Sequence, residues 1–460
     1  MNLFKFTSQY KTPYKTHYIS QYFIFLLLLG SSFWTSSFST NKTISDISGT
    51  ENNPILHKGQ ISAKQDTQAV HLTQLLLKQI SNNQYLASQK YFSDTVKQAL
   101  TPKRLQETWE TLESQVGKLT KSEKAKLYHL DSNSIYVVIP CKFEHLWLNF
   151  SLTFNTKLLV TGMHFDPPQS KSNYQNPPYG DESHVTEIPL VIGNKPYLLK
   201  GILTLPKAGE HFPVIILVHG SGPHDMDETI GNNKPFKDLA LGLAELGIAT
   251  FRYDKRTHAY GPKLATIKDS ITIDNEVTED ACAAIQSISN IKDIDSNHIY
   301  LLGHSLGGMI APRIAERSTQ LAGIIVMAGN SRPLQEVVKD QFDYLLGPNS
   351  KSADAKTLRL GLSDGYWASL DAYNQTQTAQ KLNCKQLYLQ GEADYQVTMK
   401  DFNGWKTALS SKPTVSFQSF PKLTHLMTAI TREGLSLPSD YEKDGHVDLI
   451  VIQTIKNWIK

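Results

Sequence analysis

The amino-acid sequence predicts a doubly wound, mostly parallel α/β sheet with helices on both faces, preceded by a small α+β unit. Three observations carry this prediction. Val214-Ile215-Ile216-Leu217-Val218 is an unbroken apolar run, as expected of a strand buried on both faces. From there to Lys460 strand-like and helix-like periodicities alternate, the order of successive βαβ units. Finally, Leu301-Leu302-Gly303-His304-Ser305-Leu306-Gly307-Gly308 sets a serine between a short apolar strand and a helix. The flanking glycines are those a tight strand-to-helix turn demands.

A chain of 460 residues has room for two or three compact units. Its 46 basic and 43 acidic side chains nearly cancel, leaving a formal charge of +3, and no dense basic run occurs in the folded part. That balance argues against a nucleic-acid partner. Cys141, Cys282 and Cys384 are odd in number and far apart, so they read as buried thiols rather than a disulfide framework or metal site. Near the start, Lys5, Lys11 and Lys15 precede the apolar run Tyr22–Leu29 and a Ser/Thr-rich stretch to Thr40. The run is too short to cross a hydrocarbon core of about 30 Å. Residues 1–40 therefore read as a secretory signal, with an uncleaved N-terminal anchor as the alternative. An exported location (periplasmic, extracellular or envelope-anchored) follows, with membrane association only through this segment.

Residues 41–65 are polar and read as a linker. Over 66–165, Val70, Leu72, Leu75, Leu76 and Ile80 keep helical spacing, and Tyr85–Leu100 does so again. Thr101-Pro102 caps and opens a third helix through Gln115. Strand patterns then run over 125–130, 135–142, 146–153 and 157–165, giving helices followed by a four-strand antiparallel meander. This stretch resembles small nuclear-transport-factor-like or cystatin-like domains. His129, His145 and His164 stand singly on strand-like segments and are read as structural. Pro167-Pro168 and Pro177-Pro178 mark a semi-rigid linker over 166–181.

From residue 182 the second unit runs to the end. A hairpin over 184–192 and 197–205 turns at Gly193-Asn194, and the buried strand 214–218 follows. Then come helix 234–246, strand 248–253, helix 274–289, strand 299–302 and the helix after Ser305. Strand 323–327 leads to a mostly helical block over 332–381. Strand 386–390, a helix, strand 415–420 and the terminal helix 447–459 close the order. The block at about 331–381 is expected to form a helical lid. Leu334, Val337, Val338, Phe342, Leu345 and Leu346 keep helical spacing there, while Tyr366, Trp367 and Tyr373 read as core before pocket.

Gly303-His304-Ser305-Leu306-Gly307 is a G-x-S-x-G pattern, the turn that exposes a nucleophilic serine. A serine hydroxyl needs a base within hydrogen-bond reach and a third group to orient that base. Asp394 lies at the end of the apolar strand Leu387-Tyr388-Leu389, and His425 follows the last strand, so both reach the edge that carries Ser305. Glu392 and Asp401 are weaker acids by position, and His446 is the weaker base. Main-chain donors for an oxyanion are expected at Leu306, next to the nucleophile, and at Ser221 or Gly222 in the loop His219-Gly220-Ser221-Gly222-Pro223. His224, Asp225, Asp227 and Glu228 fit no standard metal spacing and read as a solvated acidic loop. The run Arg252–Arg256 reads as an internal ion-pair network as readily as a substrate contact. His304 is expected to pack under the turn.

The segments HGSGPHDMDE, NKPFKDLALGLAELGIATFRYDKRT, GHSLGGMIAPRIAE, LQGEADYQVTMKDFNGWK and FPKLTHL resemble bacterial α/β-hydrolase carboxylesterases with an extra N-terminal domain, a group with serine aminopeptidase-like relatives. The resemblance is dense from about residue 184 to the end and looser over 66–165. It implies Ser305 as nucleophile, Asp394 as acid and His425 as base, cleaving small or short-chain esters through an acyl-enzyme, with no metal or cofactor. A peptidase or amidase of the same fold, and an inactive binding protein on that fold, are the rival readings.

Overall fold

The computed structural model describes residues 61–131, 133–144, 147–166, 174–265, 270–346 and 362–460. The expected signal segment, most of the 41–65 linker and His145 lie outside the described residues, as does the middle of the expected lid, 347–361.

In the first unit the helix Ala63–Ser81 begins at a capping box in which Ser62 and Gln65 satisfy each other's backbone donors. The periodicity over 85–100 does not yield one helix. It divides into Tyr85–Ser88, a 3₁₀ turn Gln89–Tyr91 and Asp94–Ala99. The break occurs because Ser93 caps the last piece while its N–H donates to Val160 O, tying the chain to a strand instead of a preceding helical turn. The helix Pro102–Val116 opens at Thr101 as expected. Five strands follow: β1 (Leu119–Ser122), β2 (Lys126–Asp131), β3 (Ser134–Phe143), β4 (Trp147–Asn155) and β5 (Val160–Asp166). The meander has one strand more than expected. Long β3 accommodates both β1 and β2 along one edge and β4 along the other. The helices close over Phe143, Phe150, Leu152 and Phe154, and Trp109 fills the centre.

The second unit is an eight-stranded sheet in the order β13-β12-β11-β10-β8-β9-β7-β6. Its strands are β6 (Val185–Ile192), β7 (Leu199–Pro206), β8 (Phe212–Val218), β9 (Ala249–Tyr253), β10 (Ile294–His304), β11 (Gly323–Met327), β12 (Lys385–Gly391) and β13 (Val415–Phe420). Only β7 runs against its neighbours, pairing antiparallel with both β6 and β9. The apolar run of β8 is continuous because alternate residues feed two cores. Val214, Ile216 and Val218 join Leu301, Met309 and Tyr388 on one face. Ile215 and Leu217 join Phe236, Tyr300 and Ile452 on the other.

After β8 the chain steps sideways to β9 and then crosses to β10 on β8's other flank. Loops leaving β8 and β10 therefore diverge at their carboxyl ends, opening the crevice where open α/β sheets bind ligands. The residues 219–222 and Ser305 sit on these two loops.

Two further expectations change. The helix Arg256–Ala265 has no counterpart in the sequence reading. The block over 331–381 also divides in role. Its later helices, Asp364–Asp371 and Gln375–Lys381, belong to a layer of the sheet: Tyr366, Trp367 and Tyr373 are core residues, and Tyr373 OH donates to Met309 O at 3.0 Å. Only Leu334–Leu346 remains, among the described residues, as a covering element.

The linker, expected to be a spacer, is docked at its end. Tyr174 OH donates to Asp238 Oδ1 at 2.7 Å, and Tyr179 OH donates to Val447 O. Asp238, almost wholly buried in the helix Pro235–Ala244, also accepts from Val447 N at 2.9 Å and bonds His446 Nδ1 at 3.1 Å. One carboxylate thus joins the linker, this helix and the start of the terminal helix. Asp238→Ala strands several buried donors and is expected to lower stability by about 2–4 kcal/mol. Thermal or urea unfolding measures the loss, and turnover by the folded variant stays unchanged.

Candidate active site

Ser305 occupies a backbone conformation that L-residues rarely adopt, φ 55° and ψ −117°, between β10 and the helix Leu306–Arg317. The motif glycines account for the turn. A Cβ at Gly303 would overlap the Gly307 carbonyl, and one at Gly307 would overlap the carbonyls of Val218 and His219. Strand, elbow helix and the end of β8 are in backbone contact, which lifts the serine clear of the sheet.

Asp394 and His425 meet at this edge. His425 Nδ1 lies 2.7 Å from Asp394 Oδ2, and both residues are buried. Asp394 also accepts from Gln396 N at 2.7 Å, Val397 N at 3.1 Å and Gln390 Nε2 at 3.1 Å. With every partner a donor, the carboxylate fixes the Nδ1–H tautomer of His425 and leaves Nε2 to face a proton donor. His425 N in turn donates to Tyr441 OH at 3.3 Å, and Tyr441 OH bonds Ser436 Oγ at 2.9 Å. Gln390 and Tyr441 were not picked out from the sequence. The available signal for the first was a polar Gln directly after the apolar Leu387-Tyr388-Leu389.

The loop after β8 is tied down from several directions. Gly220 N donates to Glu228 Oε1 at 2.6 Å, and Gly220 O accepts from Lys255 Nζ at 2.8 Å. Ser221 O accepts from His224 Nε2 at 2.7 Å. Among the described residues no hydrogen bond uses Ser221 N or Leu306 N, the latter a first-turn donor without an intrahelical acceptor. Gly222 carries φ 101° and lets the loop turn there. A Cβ built on Gly220 would lie 3.1 Å from Ser305 Cβ, so the two loops are adjacent.

The expected solvated acidic loop is not solvated. Glu228 is almost fully buried, with φ 52°, and Asp227 pairs with Lys234 at 2.9 Å and Arg252 at 2.8 Å. Arg252 is itself buried and also bonds Glu187 and Thr204. That is the internal network anticipated for the basic run, and it draws the acidic residues inward. The second carboxylate beneath the site, Glu228, was missed because spacing alone does not show which of several acids turns inside.

His304 does pack under the turn, but as a charged partner. Its Nδ1 lies 2.9 Å from Glu228 Oε2 and its Nε2 lies 2.9 Å from His425 O. Glu228 is drawn down to about 2: burial opposes this, and the His304 charge outweighs it. His304 is raised above its ordinary value, Glu228 and the His425 carbonyl overcoming desolvation. Burial holds His219 neutral, down to about 3, and lowers His224 as well.

The weaker candidates lie elsewhere. Glu392 accepts from Ser419 Oγ at 2.8 Å, Asp401 is engaged by Arg332, and His446 is paired with Asp238. Cys141 is buried and its thiol is pushed up to about 12 by burial, while Cys282 and Cys384 are half-buried and free.

An elbow serine at the switch point, beside a carboxylate–imidazole pair and unspent main-chain N–H groups, defines an α/β-hydrolase. The chain is 34% identical over 401 residues to Esterase EstD of Thermotoga maritima, spanning 84% of this chain and 94% of that protein, and it belongs to that family of esterase-type α/β-hydrolases with an extra N-terminal domain. Residues 209–352 match the family described as Serine aminopeptidase, S33, and residues 74–163 match Protein of unknown function (DUF3887). Among solved structures, Est1E from Butyrivibrio proteoclasticus is 17% identical with a TM-score of 0.42, covering 59% of this chain and 97% of its own. An esterase of Pyrobaculum calidifontis is 14% identical with a TM-score of 0.44, covering 61% and 86%.

The Glu228–His304 pair makes stability depend on pH in a defined way. Glu228 is depressed, so its contribution is complete above its unfolded value of 4.5 and is lost as pH falls toward about 2. His304 is raised, so its contribution is complete below its unfolded value of 6.5 and is lost as pH rises through the folded value. The destabilisation caused by Glu228→Gln is therefore expected to peak between about pH 4.5 and 6.5 and shrink on both sides. Urea unfolding of wild type and variant across pH 2–9 reads this profile.

Proposed function

We propose that the protein is a serine carboxylesterase that cleaves small carboxylic esters through an acyl-enzyme on Ser305. The observation that carries this reading is the buried Asp394–His425 pair, joined through His304 to the adjoining Ser305 in strained geometry at the sheet's carboxyl edge. Ser305 Oγ attacks the ester carbonyl while His425 Nε2 takes its proton. Asp394 holds the imidazolium through Nδ1–H. The tetrahedral oxyanion is received by Ser221 N and Leu306 N, with Gly222 as the flexible neighbour. Collapse expels the alkoxide, which His425 protonates as it leaves. A water then attacks the acyl-enzyme by the same route, returning the proton to Ser305 and releasing the acid.

Ester preference is supported by the identity to Esterase EstD over most of both chains. The match of residues 209–352 to a serine aminopeptidase family motivates the second reading, amide cleavage by the same residues. The helix Leu334–Leu346 is proposed as part of a lid. Gln341 Nε2 donates to Gln396 O at 3.0 Å and the Tyr344 ring stacks 5.7 Å from Tyr395, which sets this helix over the acid loop. Export through residues 1–40 is proposed from their charge and apolar pattern, and fractionation of expressing cells tests it.

A p-nitrophenyl ester series from acetate to decanoate is expected to show highest kcat/KM at short chains. Faster cleavage of an aminoacyl nitroanilide than of these esters would overturn the ester reading. Ser305→Ala is expected to abolish both turnover and labelling by a fluorophosphonate. Asp394→Asn should lower kcat by about 10³–10⁴-fold, because it destabilises the working tautomer of His425.

A further inference from the structure

Beneath the site lies a second carboxylate–histidine pair that the reaction above does not use. Glu228 and His304 are 1% and 2% exposed, and the distances between them and their neighbours leave little choice of protonation. His304 faces an acceptor at each ring nitrogen: the Glu228 carboxylate at 2.9 Å from Nδ1, and the His425 main-chain carbonyl at 2.9 Å from Nε2. A carbonyl oxygen and a carboxylate accept only, so both ring nitrogens must donate, and the ring is an imidazolium. Glu228 uses its other oxygen to accept from Gly220 N at 2.6 Å. The pair therefore spans three loops. His304 holds the main chain of the base and adjoins the nucleophile in sequence, and Glu228 holds the glycine before the oxyanion donor.

The surroundings fit a clamp more than an incidental ion pair. The His304 and His425 rings lie 4.7 Å apart, so a shift of one is felt by the other. Lys255 Nζ bonds Gly220 O from below, 3.3 Å from Glu276, and His219 and His224 flank Glu228 as neutral rings. On the far side Asp394 and Tyr441 hold His425 through its Nδ1 and its main-chain N–H. From the nucleophile's side, His304 holds His425 by donating Nε2–H to its main-chain carbonyl. Burying an ion pair costs desolvation that Coulomb attraction alone rarely recovers, which makes conformational definition the better account of its presence.

We propose that Glu228 and His304 are positioning residues for ester cleavage, an ionic clamp that fixes the His425 loop and the Gly220–Ser221 loop relative to Ser305. The proposal rests on the esterase reading for its substrate, but its geometry is independent of which acyl compound is cleaved.

The test uses the full chain with a short p-nitrophenyl ester and a fluorophosphonate. Active sites are first counted by titration with the fluorophosphonate, so that misfolded protein does not enter kcat. His304→Phe is expected to lower kcat per titrated serine by about 30–300-fold, in line with misplacement of reacting groups by about an ångström, while KM stays within about threefold. Glu228→Gln, which matches the native side chain in size and keeps one of its two acceptor contacts, is expected to fall between wild type and His304→Phe. The rate of fluorophosphonate labelling should drop in the same proportion as kcat. Combining the two changes should be no worse than His304→Phe alone, since they act as one unit. Loss of less than threefold in folded His304→Phe, or a loss confined to KM, would overturn the proposal. Should that variant fail to fold, nitrogen NMR of histidine-labelled wild type decides: both His304 ring nitrogens protonated at pH 7.5 supports the clamp, and a neutral ring sinks it. If wild type cleaves no ester yet labels with the fluorophosphonate, the esterase reading fails while labelling rates and NMR still judge the clamp.

Discussion

The close approach of backbone to backbone at the nucleophile governs the rest of the catalytic unit. Gly307 packs against the carbonyls of Val218 and His219, and Gly303 against the Gly307 carbonyl, with no room for a β-carbon at either. That contact locks the end of β8, the end of β10 and the elbow helix into one rigid corner. The strain at Ser305 persists because the surrounding sheet over-determines it, the condition under which such conformations survive. Once this corner is fixed, the loops after β8, β12 and β13 have only to reach the same edge.

They reach it because parallel strands bring all their carboxyl ends to one side. β10, β11, β12 and β13 pair in parallel and in sequence, so the acid loop and the base loop emerge beside the elbow without further design. What this topology does not supply is rigidity in long loops rich in polar residues. Here the chain uses buried charges: Arg252 with Asp227, Arg332 with Asp401, and Glu228 with His304. Each desolvated carboxylate is met by several donors. That is the arrangement in which a buried charge is tolerated and its removal is costly.

The first unit follows a different principle. Its helices cover one face of an antiparallel sheet around Trp109 and Phe150. The last part of the connecting segment is nonetheless anchored to the catalytic unit through Tyr174, Tyr179 and Asp238. A stretch whose prolines suggested a semi-rigid linker thus ends as a packed element. Its two tyrosines carry the docking, and nothing in their spacing announced it.

The sequence by itself determined the fold class and all eight strands of the catalytic sheet, and it singled out Ser305, Asp394 and His425 as residues that reach one edge of it. These are legible because apolar periodicity reports burial directly, and because the chain order of serine, acid and base follows from the parallel topology. Tertiary structure alone decided how the side chains under the site are paired. Glu228 is one of several acids within a few residues, and His304 is one of fifteen histidines. Their pairing depends on where β8 and β10 bring their loops, over a separation of 76 positions. The same holds for Gln390 and Tyr441 behind the Asp394–His425 pair, and for the helix broken at Ser93. Each is decided by a partner distant in sequence, and local pattern carries no record of that partner.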